Sequence, residues 1–211
     1  MNPLKLRRMK RLAEALKSVD KAAAWDLISM IEAYEQPPQP DAEMLRESLP
    51  SALKEVASFL KPYKWCLAGG LALVQWVNIR VTYDVDVVVM TDDLQKIRDS
   101  FPSAKPNNFG VSVNVSKVNV DLMDSGMWPW AEEAVLKAVE KDIDGAKIRV
   151  MTPEFLVLFK IDSMRDKDNQ DVFALLRIHG VAQKVRPLMQ KYLPDRIDDL
   201  ESAIAIADLM I

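Results

Sequence analysis

The sequence has one cysteine and one histidine in 211 residues, and that scarcity removes several chemistries at once. A single cysteine excludes an intrachain disulfide and fits a reducing cytoplasm. Cys66, between Trp65 and Leu67, reads as a small core residue. One cysteine with one histidine gives no zinc constellation. His179 has no motif around it to build a Ser-His-Asp triad, so hydrolysis of that kind is not indicated. Long hydrophobic runs are also missing. The longest, Trp65–Val77, is interrupted by glycines and Gln75 and is too short to cross a bilayer. The basic N-terminus is not followed by an apolar stretch with a cleavage site, so the expectation is a cytoplasmic protein with no membrane association. A net charge of −3 gives no bulk attraction to nucleic acid. Lys5, Arg7, Arg8, Lys10 and Arg11 do cluster without an acid among them. That cluster is either the solvated face of an amphipathic helix or a contact for RNA phosphates.

What the chain does have is apolar content of 49 %, enough for a compact core, with helix-like and strand-like patterns alternating. Apolar spacing of helical type runs over 4–18 and 21–35, with Asp20 as an N-cap, and the prolines of 36–40 interrupt it. Helices are predicted over 41–48 and 51–60, the second opened by Pro50-Ser51. Then come a strand at 64–68, a helix at 70–78, a strand at 82–90 and a helix at 92–100 capped by Thr91. Strands near 109–116 and 117–123 follow, then a helix from Trp128-Pro129-Trp130 to Lys141. A turn at Asp144-Gly145 leads to a strand at 147–151. Thr152-Pro153-Glu154 is a strong helix start, and helices to about 166, from 168, over 184–192 and over 195–210 complete the chain. The organisation is therefore a helical segment 1–60, a mixed core 61–151 and a helical subdomain 152–211.

The reactive features fall in the mixed core. Gly69-Gly70 follows an apolar run and suits a tight turn whose bare backbone can approach a ligand. The N–H groups opening the next helix make a phosphate cradle. Thirteen residues later comes Asp84-x-Asp86 in a β-branched run, with Arg80 and Thr82 alternating on the approach. Two carboxylates two apart on a strand leave the same face, roughly 6–7 Å from each other. Their repulsion is about 2–3 kcal/mol at an effective dielectric of about 20. A divalent cation between them turns that repulsion into binding, and oxygen-only ligands favour Mg2+ or Mn2+. The bland alternative is an ordinary half-exposed strand. Asp121, alternating with Val120 and Leu122, is either a surface acid or a third carboxylate that deprotonates a hydroxyl or completes a metal site. Lys160 lies in an apolar helix and either snorkels or points at an anion. Asp168 and Asp171 share a helix face. Trp128 and Trp130 are either a base-stacking surface or packing against the sheet.

Taken together, Leu67-Ala-Gly-Gly-Leu-Ala-Leu73 with Arg80-x-Thr82-x-Asp84-x-Asp86 resembles the core motif of the polymerase-beta-like minimal nucleotidyltransferases, and most nearly the AbiEii toxin-like branch. Thr152–Lys160 and Arg165–Val172 resemble the downstream helix pair of that branch, and the likeness spans about 64–178. The resemblance implies an α+β fold, a small mixed sheet of nucleotidyltransferase type flanked by helices. It implies Mg2+-dependent transfer of a nucleoside monophosphate from a nucleoside triphosphate to a hydroxyl of tRNA or other RNA, protein or a small molecule. Gly69 and Gly70 would hold the triphosphate, with Arg80 and Thr82 in the nucleotide-binding set. Asp84 and Asp86 would bind metal, and Asp121 would be the third carboxylate. Lys160 would contact phosphate or nucleotide, and Asp171 would shape the site. An antitoxin protein is an implied partner. A catalytically inert nucleotide-sensing or protein-interaction module on the same fold is the alternative. Leu71 departs from the pattern, where a small polar residue often helps hold the phosphates, and the spacing of Arg165-Asp-Lys-Asp168 admits more than one alignment.

Overall fold

The computed structural model describes residues 42–77, 84–101, 104–163 and 168–209, together with Arg11, Glu14, Ala15 and Thr82. The helices expected over 4–18 and 21–35, and Arg80, lie outside the described residues, apart from Arg11, Glu14 and Ala15, which are helical and exposed.

Alternating β-branched runs build a seven-stranded mixed sheet. Its strands are β1 (Trp65–Ala68), β2 (Val85–Val89), β3 (Lys105–Asn107), β4 (Gly110–Val115), β5 (Val118–Asp124), β6 (Val139–Ile143) and β7 (Ala146–Val150), in the order β3-β4-β5-β2-β1-β7-β6. β1 pairs antiparallel with β2 and parallel with β7, and β2 pairs parallel with β5. The two central strands β1 and β2 are buried nearly throughout, as strands covered on both faces require, whereas β5 and β7 beside them alternate. Hairpin β4–β5 turns through Ser116 and Lys117, both at positive φ (50° and 69°). Hairpin β6–β7 turns the same way through Asp144 (51°) and Gly145 (81°). Two successive left-handed residues are the two-residue turn whose twist matches that of its strands.

The helices are α1 (Ala42–Leu60), α2 (Gly69–Val74), α3 (Thr91–Asp99), α4 (Ala131–Lys137), α5 (Pro153–Ser163), α6 (Asn169–Leu176), α7 (Val181–Tyr192) and α8 (Ile197–Leu209). Buried residues from Ala52 to Ala207 form one continuous cluster through the sheet and the C-terminal helices. No helix among the described residues is long and apolar enough to cross a membrane.

Several element boundaries differ from the sequence expectation. The predicted pair 41–48 and 51–60 is one helix with Pro50 inside it. Burial of Ala52, Leu53, Val56 and Leu60 holds it together despite the lost N–H. The helix expected to reach Lys141 stops at Lys137, and 139–143 is a strand. Asp144-Gly145 is a hairpin turn, so it needs a strand on either side. Strand β3 has no counterpart in the periodicity, because Lys105-Pro106-Asn107 carries no alternation. Thr91 is the first residue of α3 rather than its cap, which is Met90. The Thr91 hydroxyl instead donates to Asp124 Oδ1 (2.5 Å), joining the end of β2 to the end of β5.

Candidate active site

The parallel pairing of β2 with β5 puts Asp86 directly opposite Asp121. Neighbouring strands lie about 4.8 Å apart, so two carboxylates distant in sequence become lateral neighbours. On the other side of β2, Ala68 of β1 pairs with Asp86, and the chain turns at once into α2. Gly69 makes that turn at φ +58°, and a Cβ built on it would lie 1.7 Å from Asp86 Oδ2. No side chain fits there: glycine is required both by conformation and by the approach of the Asp86 carboxylate. Gly70 is buried within α2.

Asp121 is oriented by residues that the sequence reading did not single out. Ser112 Oγ donates to Asp121 Oδ1 (2.5 Å), and Asn107 Nδ2 donates to the same oxygen (3.2 Å). Asn107 Nδ2 also reaches Ser112 Oγ (2.8 Å), while its Oδ1 accepts from the Phe109 N–H (2.9 Å). Ser112 is the register partner of Asp121 on β4, so the polar position in Val111-Ser112-Val113 was its one visible signal. Asn107 lies on β3, which the sequence did not announce.

Strand β2 begins at Val85, so Asp84 stands one residue before it and is exposed, with Val85 buried and Asp86 half-buried. Among the described residues no group of three or more acidic, histidine or cysteine side chains is placed to hold a metal ion. Asp84, Asp86 and Asp121 therefore do not stand as a preassembled triad. Thr82 is half-buried.

Lys160 of α5 is 6 % exposed, and its ammonium bonds Asp171 Oδ2 (2.6 Å) and Asp168 Oδ1 (3.0 Å). Ser163 Oγ donates to Asp168 Oδ2 (2.7 Å). The lysine neither snorkels nor projects alone into the site; two carboxylates from the start of α6 hold it. A buried ammonium without such partners would cost several kcal/mol. Asp171 is fully buried and meets the site through Lys160.

These parts converge on a cleft of about 470 Å³. Gly69, Asp86 and Asp121 form its sheet side, Lys160 and Asp162 its α5 side, and Phe109, Trp128 and Phe159 an aromatic wall. Asp162 is a third acid lining the cleft that the sequence reading did not pick out. The tryptophan pair divides between its two readings: Trp130 is 1 % exposed and packs in the core, whereas Trp128 lines the cleft. Burial pushes the Cys66 thiol up to about 12, which keeps it inert behind the site.

The sequence profile of a family described as nucleotidyltransferases of unknown function (DUF6036) matches residues 47–191. The chain belongs to this family. It is thus a nucleotidyltransferase, and residues 47–191 take in the whole sheet together with the cleft. No curated protein sequence matches significantly. Among solved structures, the fold is similar to that of the antibiotic-resistance factor ANT(2'')-Ia. Its solution structure is 16 % identical, with TM-score 0.51, covering 74 % of this chain and 96 % of that one. Its complex with adenylyl-2''-tobramycin is 14 % identical, with TM-score 0.50, covering 68 % and 95 %. An antigenic nucleotidyltransferase-like protein from Paracoccidioides brasiliensis is 19 % identical, with TM-score 0.47, covering 74 % and 93 %. The two ANT(2'')-Ia likenesses agree with an α+β fold built on a mixed sheet.

Such folds generally use divalent metal ions, and the donor chemistry here fits one. Asp86 and Asp121 offer hard oxygen donors side by side, with Asp84 near in sequence. Magnesium keeps several waters and commonly takes one or two protein carboxylates plus substrate phosphates. A pair of carboxylates in register therefore suffices without a triad.

Proposed function

We propose that this nucleotidyltransferase moves a nucleoside monophosphate from a nucleoside triphosphate to a hydroxyl acceptor in the cleft between the sheet and α5. The observation that carries the reading is the register pairing of Asp86 with Asp121 beside the bare backbone of Gly69. In this reading Asp86 and Asp121, with Asp84 reaching in from before β2, hold Mg2+ or Mn2+. Gly69 and Gly70 receive the triphosphate along their backbone, and Arg80 and Thr82 complete its binding. A divalent ion supplies charge neutralisation for the in-line displacement at the transferred phosphorus. Asp121 takes the proton of the attacking hydroxyl. Ser112 and Asn107 both donate to its Oδ1 rather than Oδ2, which fixes the plane of the carboxylate before substrate arrives. Lys160 sets positive charge at the α5 side, held there by Asp168 and Asp171.

The acceptor belongs to the class of tRNA or other RNA, protein or small-molecule hydroxyls. A toxin-like role in the AbiEii manner, with an antitoxin partner in the cytoplasm, is the finer form of the proposal and rests on the motif resemblance. The rival reading, an inert nucleotide-sensing module, draws on the position of Asp84 outside the carboxylate pair. Incubation with each α-labelled triphosphate, Mg2+ and a cell extract separates the two. Label appearing in RNA, protein or small molecules, with pyrophosphate released, supports transfer and identifies the acceptor class. Metal-dependent nucleotide binding without release of pyrophosphate would favour the sensing module.

A further inference from the structure

Phe109, in the turn between β3 and β4, leaves 47 % of its surface in solvent, a large apolar exposure on the lining of the cleft that holds Asp86 and Asp121. It is not an isolated ring. Phe109 stacks on Trp128 with centroids 5.4 Å apart and planes 25° from parallel. Trp128 is in turn braced by Phe159, at 4.7 Å and 59°. The backbone fixes where this stack lies relative to the carboxylates: Phe109 O accepts from the Asp124 N–H (2.8 Å), and Gly110 pairs with Met123. Met123 also lines the cleft, two residues beyond Asp121 and hence on the same sheet face. At about 3.3 Å per residue the ring pair stands roughly 7–10 Å along β5 from Asp121. That is about the span from the α-phosphate of a nucleotide to its base.

From this arrangement we propose that Phe109 and Trp128 form a stacking platform for the nucleobase of the donor triphosphate. The inference deepens the function proposed above and rests on it. Three observations single out a base from other occupants. Two nearly parallel rings present a flat π-face, which every nucleobase can cover. A cleft of about 470 Å³ is of small-ligand size rather than a docking surface for a macromolecule. The platform is continuous with the carboxylates, so one ligand can place phosphate at the one and base at the other. Stacking on side-chain rings without a dedicated hydrogen-bond reader makes the site tolerant of base identity, with purines favoured by their larger face.

The test is calorimetric titration of the full chain with MgATP, MgCTP and magnesium tripolyphosphate, the last lacking any base. In the parent protein both nucleotides are expected to bind more tightly than tripolyphosphate, ATP ahead of CTP. Phe109→Ala should weaken ATP about tenfold, CTP less, and tripolyphosphate less than twofold, while Phe109→Tyr restores nucleotide affinity. Circular dichroism of the same samples checks folding, and restoration by Tyr gives a second check. Unchanged ATP affinity in Phe109→Ala, or an equal loss for ATP and tripolyphosphate, overturns the platform and leaves the transferase reading standing. So does an effect confined to the acceptor's KM. A parent protein that binds none of the three ligands overturns the transferase reading, and the platform falls with it.

Discussion

Two pairs of carboxylates stand near the cleft, one lining it from the sheet and one buried behind Lys160, and the fold treats them differently. Asp168 and Asp171 lie at the start of α6, buried, and share the ammonium of Lys160 at 3.0 and 2.6 Å. Asp86 and Asp121 lie half-buried on adjacent strands, and at Asp121 the bonds come from the neutral groups of Ser112 and Asn107. The helical pair carries its own cation. The sheet pair brings two like charges into register on adjacent strands, at the edge of the cleft that a metal-bound triphosphate would enter.

The sharpest way to break the comparison is to neutralise one member of each pair. Asp86→Asn should abolish nucleotide transfer, by about a thousandfold or more, while the protein still folds. Lys160→Met should instead lower stability. It removes the buried ammonium that two buried carboxylates share, so unfolding free energy in urea should fall by about 3–5 kcal/mol. The sequence reading expected Lys160 to act mainly on triphosphate binding; its burial and two ion pairs shift the expected weight to stability. Replacing Lys160, Asp168 and Asp171 together by apolar residues should recover most of the loss. Equal stability losses in Asp86→Asn and Lys160→Met would show that both pairs are structural, and full transfer activity in folded Asp86→Asn would remove the metal role.

The same comparison shows how much was legible beforehand. Gly69-Gly70 and Asp86 announce themselves by order and spacing, because a tight turn and a charged position in a valine run are local facts. The partnership of Asp121 with Asp86 is not local: it depends on β2 and β5 pairing parallel in one register. Periodicity shows which residues share a face but never which strand lies alongside. The strand boundary was less legible: alternation carries the strand through Asp84, and it starts one residue later. Lys160 stood out as a lysine in an apolar helix, but its partners come from the following helix, beyond the reach of a within-helix rule. Asn107 was hidden because a three-residue strand containing a proline has no period to read. The hairpin at 139–150 was the recoverable miss, since Asp-Gly in a left-handed turn marks strands on both sides.

A gentler perturbation sharpens what the neutral donors do for the sheet pair. Ser112→Ala removes the 2.5 Å bond to Asp121 and leaves only Asn107 Nδ2 at 3.2 Å on that oxygen. Stability should change by about 1 kcal/mol. The effect should fall on kcal-scale positioning rather than on substrate capture, lowering kcat about tenfold with little change in the KM for triphosphate. A matching loss in both parameters would mean that Ser112 supports nucleotide binding, and no change in either would leave Asp121 without need of its brace.

The smallest expected effect lies away from the cleft, where the sheet layer meets the C-terminal helices. Glu133 of α4 binds Lys137 (2.6 Å) on its own helix, and from α7 it binds Lys191 (2.9 Å) and the Tyr192 hydroxyl. The Lys137 bond foremost, then those of Tyr192 and Lys191, hold its carboxyl down at about 2 against an ordinary 4.5. A depressed carboxylate stabilises the folded state above the unfolded value, and that contribution is lost as pH falls from about 4.5 through about 2. Both lysines are more than half exposed, so solvent screening limits the contribution to about 1 kcal/mol. Urea midpoints should therefore place the parent slightly above Glu133→Gln at pH 7, with the difference closing toward pH 2. Parallel pH profiles for the two proteins would show that the network adds nothing. Helix α7 would then be held mainly by its packing on α5 and α8, with Val185 and Met189 fully buried.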